Sequence, residues 1–225
     1  MSNRDGSRVT QLTHFEGGGR VGSPSWSADG KRIAFDAIRT GTGSWNLYIV
    51  AADGGPVETL TFDDFTNVRP SWSLDGRWIY FGSNRTGDWQ IWRTPSVGGT
   101  PKQITRGGGL EPIVSPDGRI YYAKAAPEQG IWEVRGGEEV QIVPRGRQLG
   151  FDVAETGIFI MDISEKPQAT VERFDFASRE IVQVSRLPAG LRGESYFAVS
   201  RDGRSMLYTR VDSWMSDIEM LPQFR

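Results

Sequence analysis

Residues 70–81 read Pro-Ser-Trp-Ser-Leu-Asp-Gly-Arg-Trp-Ile-Tyr-Phe, and residues 24–35 read Pro-Ser-Trp-Ser-Ala-Asp-Gly-Lys-Arg-Ile-Ala-Phe. In both stretches an Asp-Gly pair separates a Trp-Ser segment from a run of β-branched and aromatic residues. Asp and Gly tolerate positive φ at little cost, so the pair predicts a tight turn between two strands. The two stretches are copies of one unit, which makes a search for further copies the next step.

Three weaker copies follow, at 112–122, 151–160 and 197–208. Measured between the turn glycines, successive copies lie 46, 42, 39 and 46 residues apart. Each unit also contains a third strand, a second turn that is usually Gly-Gly, and a fourth strand, except that the fifth unit lacks the fourth. No segment keeps a helical period of about 3.6 residues over ten or more positions. Four strands in such a period are typical of one blade of a β-propeller.

The strand count predicts how the ring is completed. The fifth unit has three strands, whereas residues 9–13, Val-Thr-Gln-Leu-Thr, resemble the fourth strands of other units. We therefore expect an all-β, five-bladed β-propeller of four-stranded antiparallel blades in a single domain over residues 1–225, with the last blade closed by the N-terminal strand. Residues 2–6 also resemble 83–87, which leaves open a fragment or engineered form of a larger propeller. A closed ring predicts a monomer, and a fragment predicts an oligomer.

Composition excludes several kinds of chemistry. The 225 residues include no cysteine, which excludes disulfides, thiolate zinc sites, iron–sulfur clusters and cysteine nucleophiles. The single histidine, His14, has no Gly-x-Ser-x-Gly motif beside it, so a serine triad is not expected. A net charge of −2 argues against nucleic acid, and the longest apolar run, 47–52, is too short to span a membrane. We expect no cofactor and no metal.

The repeat PxWSxDG, followed by an Ile-Tyr or Ile-Trp strand, Gly-Gly and Leu-Thr, resembles the WD-like repeat of TolB-type β-propellers. Similar repeats occur in the propellers of tricorn-like and prolyl oligopeptidase-like proteins. The resemblance implies a bacterial interaction module, a periplasmic location, and structural roles for Trp26, Trp72, Asp29 and Asp75. The residues themselves assign no compartment.

The loops predict where binding occurs. Connections between the second and third strands of a unit, and between successive units, share one surface and vary in length, whereas the turns on the other surface are short and repetitive. Varied loops on a rigid scaffold usually carry binding. We therefore expect a non-enzymatic module that binds a protein or peptide partner there. Arginine and aromatic residues, which are enriched at interface hot spots, dominate the candidates: Phe15, Arg20, Arg39, Asp64, Phe65, Arg69, Arg85, Glu111, Arg147, Arg192, Glu194, Tyr196 and Trp214.

Other functions stay open at this point. One is the binding of a sugar or small anionic ligand at the central channel. Another is a glycosidase-like or peptidase-associated propeller, in which carboxylates about 5–10 Å apart would be required for glycoside hydrolysis. The carboxylates near the starts of the first strands are Asp64, Glu111, Asp152 and Glu194.

Overall fold

The computed structural model describes residues 1, 7–15, 18–163, 168–189, 196–212 and 215–221. Every regular element in this part of the chain is a β-strand. The strands are β1 (Gly19–Trp26), β2 (Arg32–Arg39), β3 (Asn46–Ala51), β4 (Glu58–Thr59), β5 (Asn67–Trp72), β6 (Trp78–Thr86), β7 (Asp88–Pro95), β8 (Lys102–Gln103), β9 (Leu110–Val114), β10 (Ile120–Lys124), β11 (Gly130–Arg135), β12 (Glu138–Val143), β13 (Phe151–Ala154), β14 (Gly157–Asp162), β15 (Gln168–Asp175), β16 (Ile181–Ala189), β17 (Phe197–Val199), β18 (Met206–Asp212) and β19 (Met215–Leu221).

Strands that are adjacent in sequence pair with one another. Four sheets have four strands each, β1–β4, β5–β8, β9–β12 and β13–β16, and a fifth sheet has the three strands β17–β19. The fold is thus an all-β propeller of four-stranded antiparallel blades. The chain divides into two compact units, Met1–Pro112 and Ile113–Arg225. The single domain over 1–225 stays a prediction.

The prediction of five complete blades is wrong, because the described residues form four four-stranded blades and one three-stranded sheet. Residues 9–13, the predicted closing strand, lie outside any strand. Leu12 and Phe15 pack instead on an apolar face of the first sheet that includes Phe35 and Tyr48. Leu12 is therefore partly buried on a sheet without belonging to a strand.

The Asp-Gly turn is held by side chains of its own motif. The Ser73 hydroxyl donates to Asp75 Oδ1 at 2.6 Å, and the backbone N–H of Arg77 donates to the same oxygen at 3.0 Å. These bonds, of which the one from the Ser73 hydroxyl contributes most, lower the pKa of Asp75 to about 2. Asp29 accepts a matching bond from Ser27 at 2.6 Å. The structural roles implied for Asp29 and Asp75 are confirmed.

The repeat tryptophan of the second blade connects that blade to the first. We define the leading face of a blade as the face that carries this tryptophan, and the trailing face as the opposite one. In the second blade, Trp72, Ile79 and Phe81 lie on the leading face and pack against Ala34 and Leu47 on the trailing face of the first. The same alternation builds the interfaces between sheets of the second unit.

Candidate functional site

One surface of the first unit is made of two connections. Because neighbouring strands are antiparallel, residues 40–45, which join β2 to β3, leave the sheet at the same end as residues 60–66, which join β4 to β5. The Ser44 hydroxyl donates to the backbone carbonyl of Asp64 at 2.6 Å and ties the two connections together. We call residues 40–45 and 60–66 the loop surface.

A cavity of about 500 Å³ opens on the loop surface. Phe62 is 81% exposed and Phe65 is 44% exposed, so two aromatic rings stand in water at this site. Covering apolar surface of this kind is favourable by about 25 cal/mol per Å². The lining residues are Gly41, Thr42, Gly43, Ser44, Asn46, Phe62, Asp63, Asp64 and Phe65.

Two buried amides hold the base of the cavity. Asn46 Oδ1 accepts from the Thr61 hydroxyl at 3.0 Å and from the backbone N–H of Asp63 at 3.3 Å. Asn67 Nδ2 donates to Asp63 Oδ1 at 2.8 Å. Both asparagines are buried, and hydrogen bonds made away from water specify geometry strongly. The exposed rings therefore project from a fixed backbone.

Arg85 completes this network from β6. Its Nη2 donates to Asn67 Oδ1 at 2.8 Å and to Asp63 Oδ2 at 3.1 Å, and its guanidinium lies 4.8 Å from the centre of the Trp92 ring. Only 13% of its side chain is exposed. Burial lowers the pKa of Arg85, and the Asp63 carboxylate partly opposes that effect. The guanidinium predicted to bind a partner is engaged inside the first unit.

Backbone bends recur at the starts of the first strands. Ser23, Arg69 and Glu111 each precede a proline and have φ of 44°, 58° and 61°. Such left-handed geometry costs on the order of 1–3 kcal/mol for each residue and needs support from its surroundings. The N–H of Arg69 donates to Asp36 Oδ2 at 2.8 Å, and its Nη1 lies 3.5 Å from Glu111 Oε1.

Asp36 is the buried carboxylate of this cluster. Burial raises the pKa of Asp36, whereas hydrogen bonds from the Arg69 backbone and the Ser23 side chain act in the opposite direction. A Cβ at position 22 would lie 2.7 Å from Asp36 Oδ1, so Gly22 leaves space for the carboxylate. Asp36 thus fixes the bend at Arg69.

Three further candidate residues lie outside the cavity lining. The guanidinium of Arg39 lies 5.4 Å from the centre of the Phe15 ring, and that of Arg20 lies 5.6 Å from the centre of the Trp45 ring. Phe15 also packs edge-on against Tyr48, with ring centres 5.4 Å apart. Of the predicted residues that the structure describes, only Asp64 and Phe65 line the cavity.

The second unit holds the remaining candidates. Arg147 Nη1 donates to the Gln148 carbonyl at 3.3 Å. Tyr196 is 47% exposed, and its N–H donates to the Thr209 hydroxyl at 2.9 Å. Arg192, Glu194 and Trp214 lie outside the described residues. A binding role for any of the candidates stays a prediction.

Asp152, proposed as one carboxylate of a glycosidase, has a clear local role. Its Oδ2 accepts from the N–H of Val199 and its Oδ1 from the N–H of Val153, both at 2.7 Å. Burial raises the pKa of Asp152 to about 6, and the two backbone bonds act against this rise. The carboxylate links β13 to β17.

The described part of the chain contains neither a metal-ligand cluster nor a membrane-spanning helix. Within those residues, no group of three or more His, Cys, Asp and Glu side chains is arranged to hold a metal ion. The described ranges also contain no helix with the length and apolarity to cross a bilayer.

Sequence reasoning missed Phe62 and the amides of Asn46 and Asn67. A signal existed, because residues 61–67 read Thr-Phe-Asp-Asp-Phe-Thr-Asn where the next repeat, 105–111, reads Thr-Arg-Gly-Gly-Gly-Leu-Glu. Two phenylalanines in a connection that elsewhere carries glycines do not serve the shared core. Comparing the repeats for unshared apolar residues would have found the cavity rim.

Residues 4–146 match the family model described as the TolB beta propeller domain. A search of curated proteins finds no match. Among solved structures, TolB from Acinetobacter baumannii is 17% identical with a TM-score of 0.80, covering 98% of this chain and 56% of that one. This chain therefore spans little more than half the length of that TolB.

Propellers of enzymes are also similar. Oligogalacturonate lyase from Vibrio parahaemolyticus is 13% identical with a TM-score of 0.64, covering 99% of this chain and 70% of that one. A puromycin-hydrolyzing peptidase from Mycobacterium tuberculosis is 15% identical with a TM-score of 0.60, covering 92% and 36%. At such identities the likeness establishes the fold alone, because one fold hosts unrelated activities.

Proposed function

Because the chain belongs to the TolB β-propeller domain family, we propose that it is a non-enzymatic module that binds a protein or peptide partner on the loop surface. The observation that carries this proposal is the cavity of about 500 Å³ with Phe62 and Phe65 exposed at its rim. Exposed aromatic residues on a fixed backbone bind at low entropic cost, since their positions are set before the partner arrives.

The charge of the cavity supports a cationic and apolar ligand segment. Its lining contains Asp63 and Asp64 but no lysine or arginine. Asp63 is paired with Arg85, whereas Asp64 is exposed and forms no ion pair within the described residues. A lysine or arginine of the partner would meet the Asp64 carboxylate and the exposed Phe62 ring, and both attract cations. The Phe65 ring already has the Arg85 guanidinium 5.6 Å from its centre.

The contacts of the candidate carboxylates give less support to a glycosidase than to a binding module. Of the carboxylates considered for a glycosidase, Glu111 faces Arg69 and Asp152 accepts two backbone N–H groups. The similar lyase and peptidase propellers keep an enzyme-associated role as an alternative. A sugar or small anionic ligand at the central channel is a further alternative. The periplasmic location is likewise a proposal that rests on family membership.

A peptide array tests the proposal. The array holds immobilised peptides in which one central position is Lys, Arg, Glu or Ala between apolar residues. We expect the wild type to retain Lys and Arg peptides over Glu peptides, and Phe62→Ala to lose retention by about tenfold or more, as for a hot spot.

Val97→Ala is the matched control, because Val97 is 89% exposed in the turn after β7, on the opposite surface. Its retention of peptides should equal that of the wild type. If Val97→Ala weakens retention as much as Phe62→Ala, or if Glu peptides bind best, the proposed surface or its charge preference is incorrect.

A further inference from the structure

Gly43 is a glycine of the loop surface that the fold itself does not require. Other glycines outside the left-handed region are crowded, because an added Cβ would come closer than 3.0 Å to another atom at Gly22, Gly82, Gly150 and Gly157. A Cβ on Gly43 would have no atom within 4 Å, and the φ of Gly43 is not in the left-handed region either. Neither backbone geometry nor packing therefore excludes a side chain at this position.

Glycine at such a position lowers the stability of the protein. Alanine would fit at position 43 and would restrict the unfolded chain more, so it would favour the folded state. A residue that departs from the stable choice without a local reason is a candidate for a functional role. Gly43 lines the cavity of about 500 Å³, and a volume of about 300–1,000 Å³ is usual for ligand sites. The missing side chain thus keeps space open on the ligand's side of the connection.

The hydroxyl groups on either side of Gly43 are used within the first unit. The Thr42 hydroxyl donates to the Arg39 carbonyl at 2.8 Å and accepts from the Arg39 N–H at 3.2 Å. The Ser44 hydroxyl donates to the Asp64 carbonyl at 2.6 Å. Among the described residues, the N–H and the carbonyl of Gly43 have no hydrogen-bond partner. Gly43 therefore offers main-chain groups, rather than a side chain, to a ligand.

We propose that the ligand of the loop surface is an extended peptide segment whose main chain crosses the cavity at Gly43 and pairs with the N–H and carbonyl of that residue. This mode of binding rests on the proposed function and adds to it how the ligand is held. In extended peptides, main-chain hydrogen bonds supply affinity and side chains supply specificity. Because the Ser44–Asp64 bond holds the two connections together, a lysine or arginine of the segment can reach Asp64 while its main chain lies at Gly43.

A series of side chains at position 43 tests this mode of binding on the peptide array. We expect retention of Lys peptides to fall about tenfold or more in Gly43→Leu and by a smaller factor in Gly43→Ala, because the added side chain takes the space of the ligand's main chain. The thermal midpoint of Gly43→Ala should equal or exceed that of the wild type.

Ala177→Leu is the matched control for an added leucine. Ala177 is exposed in the turn between β15 and β16, outside the loop surface. This variant should retain Lys peptides like the wild type. An equal loss in Ala177→Leu and Gly43→Leu would overturn the proposal, since the loss would then come from an exposed leucine anywhere on the protein.

N-methylated Lys peptides are the second measurement. Each peptide carries one N-methyl group, at successive positions, and so lacks one main-chain donor. We expect retention to fall about fivefold or more at one or two positions and to change little at the others, because only the N–H that pairs with Gly43 is needed. Equal retention of all the N-methylated peptides would overturn the proposal.

The outcomes separate this mode of binding from the proposed function. If Gly43→Leu retains Lys peptides like the wild type while Phe62→Ala loses them, the binding module stands and the extended main chain is refuted. If the wild type retains no peptide, or if Phe62→Ala retains them fully, the proposed function itself fails. Should Gly43→Leu melt below the wild type, Gly43→Ala and the N-methylated peptides decide, since neither depends on the larger side chain.

Discussion

Replacing Arg85 separates an internal role of this residue from a binding role. Arg85 makes hydrogen bonds of 2.8 and 3.1 Å to Asn67 and Asp63 and stacks over Trp92, with 13% of its side chain exposed. A hydrogen bond to a charged partner contributes about 1.5–3 kcal/mol and a partly buried cation–π contact about 1 kcal/mol. Arg85→Met should therefore lower the free energy of unfolding by roughly 3 kcal/mol.

The assay is urea unfolding followed by fluorescence, with Asp63→Asn and the double variant to complete a cycle. Arg85→Met leaves the Asp63 carboxylate, which is 29% exposed, without its cation. The double variant should therefore lose less stability than the sum of the losses in the two single variants. We expect a coupling of about 1–2 kcal/mol.

Arg77→Met is the control that separates the effect of burial from the effect of a short distance between the charges. Arg77 and Asp75 lie only 2.6 Å apart, closer than Arg85 and Asp63, but their side chains are 78% and 44% exposed. Exposed pairs contribute about 0–1 kcal/mol, so this variant should change stability little. An equal loss in Arg77→Met and Arg85→Met, or additive effects in the cycle, would refute the argument from burial.

Three further predictions test separate parts of the fold. The pKa of Asp152 is raised from 3.8 to about 6, so the folded state holds the proton more tightly than the unfolded state does. Relative to Asp152→Asn, the free energy of unfolding should therefore fall by roughly 3 kcal/mol between about pH 4 and pH 7, as measured by urea unfolding at each pH. A difference in stability between the two proteins that stays constant with pH would contradict the burial of this carboxyl. Trp72→Ala should lower the free energy of unfolding by about 3–5 kcal/mol and Trp26→Ala by under about 1 kcal/mol in dilute solution, since the first ring is 4% and the second 49% exposed. Denaturation midpoints that rank the two variants the other way would contradict this difference in burial. Gly157→Ala places a methyl group of β14 against the backbone carbonyl of Phe174 in β15, so we expect the free energy of unfolding to fall by about 1–3 kcal/mol. A thermal midpoint equal to that of the wild type would show that the two strands can move apart to accept the methyl group.

The repeat made most of the fold predictable. Asp-Gly turns and alternating strands depend on interactions within a few residues, and these are visible in a single sequence. The closing strand at 9–13 was predicted from its likeness to the fourth strands of other units, and this prediction was wrong. An apolar side chain can be buried on a sheet without belonging to one of its strands, and only the surroundings of Leu12 and Phe15 show that this is the case here.

The site was less predictable, because charge pairing depends on distant parts of the chain. The presence of arginines among the loop residues predicted a binding surface. However, Arg85 pairs with Asp63, 22 positions earlier, and Arg69 pairs with Glu111, 42 positions later. No local pattern indicates which arginine will find an internal carboxylate. Asp64 and Phe65 lie in the variable connection and line the cavity, and their role in binding stays a prediction.

The pairing of arginines inside the first unit supports the proposed preference of the loop surface for a cation. Had Arg85 faced solvent, its charge would have offset Asp64 and favoured an acidic partner. Because Arg85 instead fixes Asp63 and Asn67 below the cavity, the exposed Asp64 sets the local sign. Arg85→Met should then act on binding only through the geometry of the loop: it should weaken retention of Lys peptides and Ala peptides by similar factors. A selective loss of Glu peptides would mean that the guanidinium itself reaches the ligand, and the polarity assigned to the surface would have to be reversed.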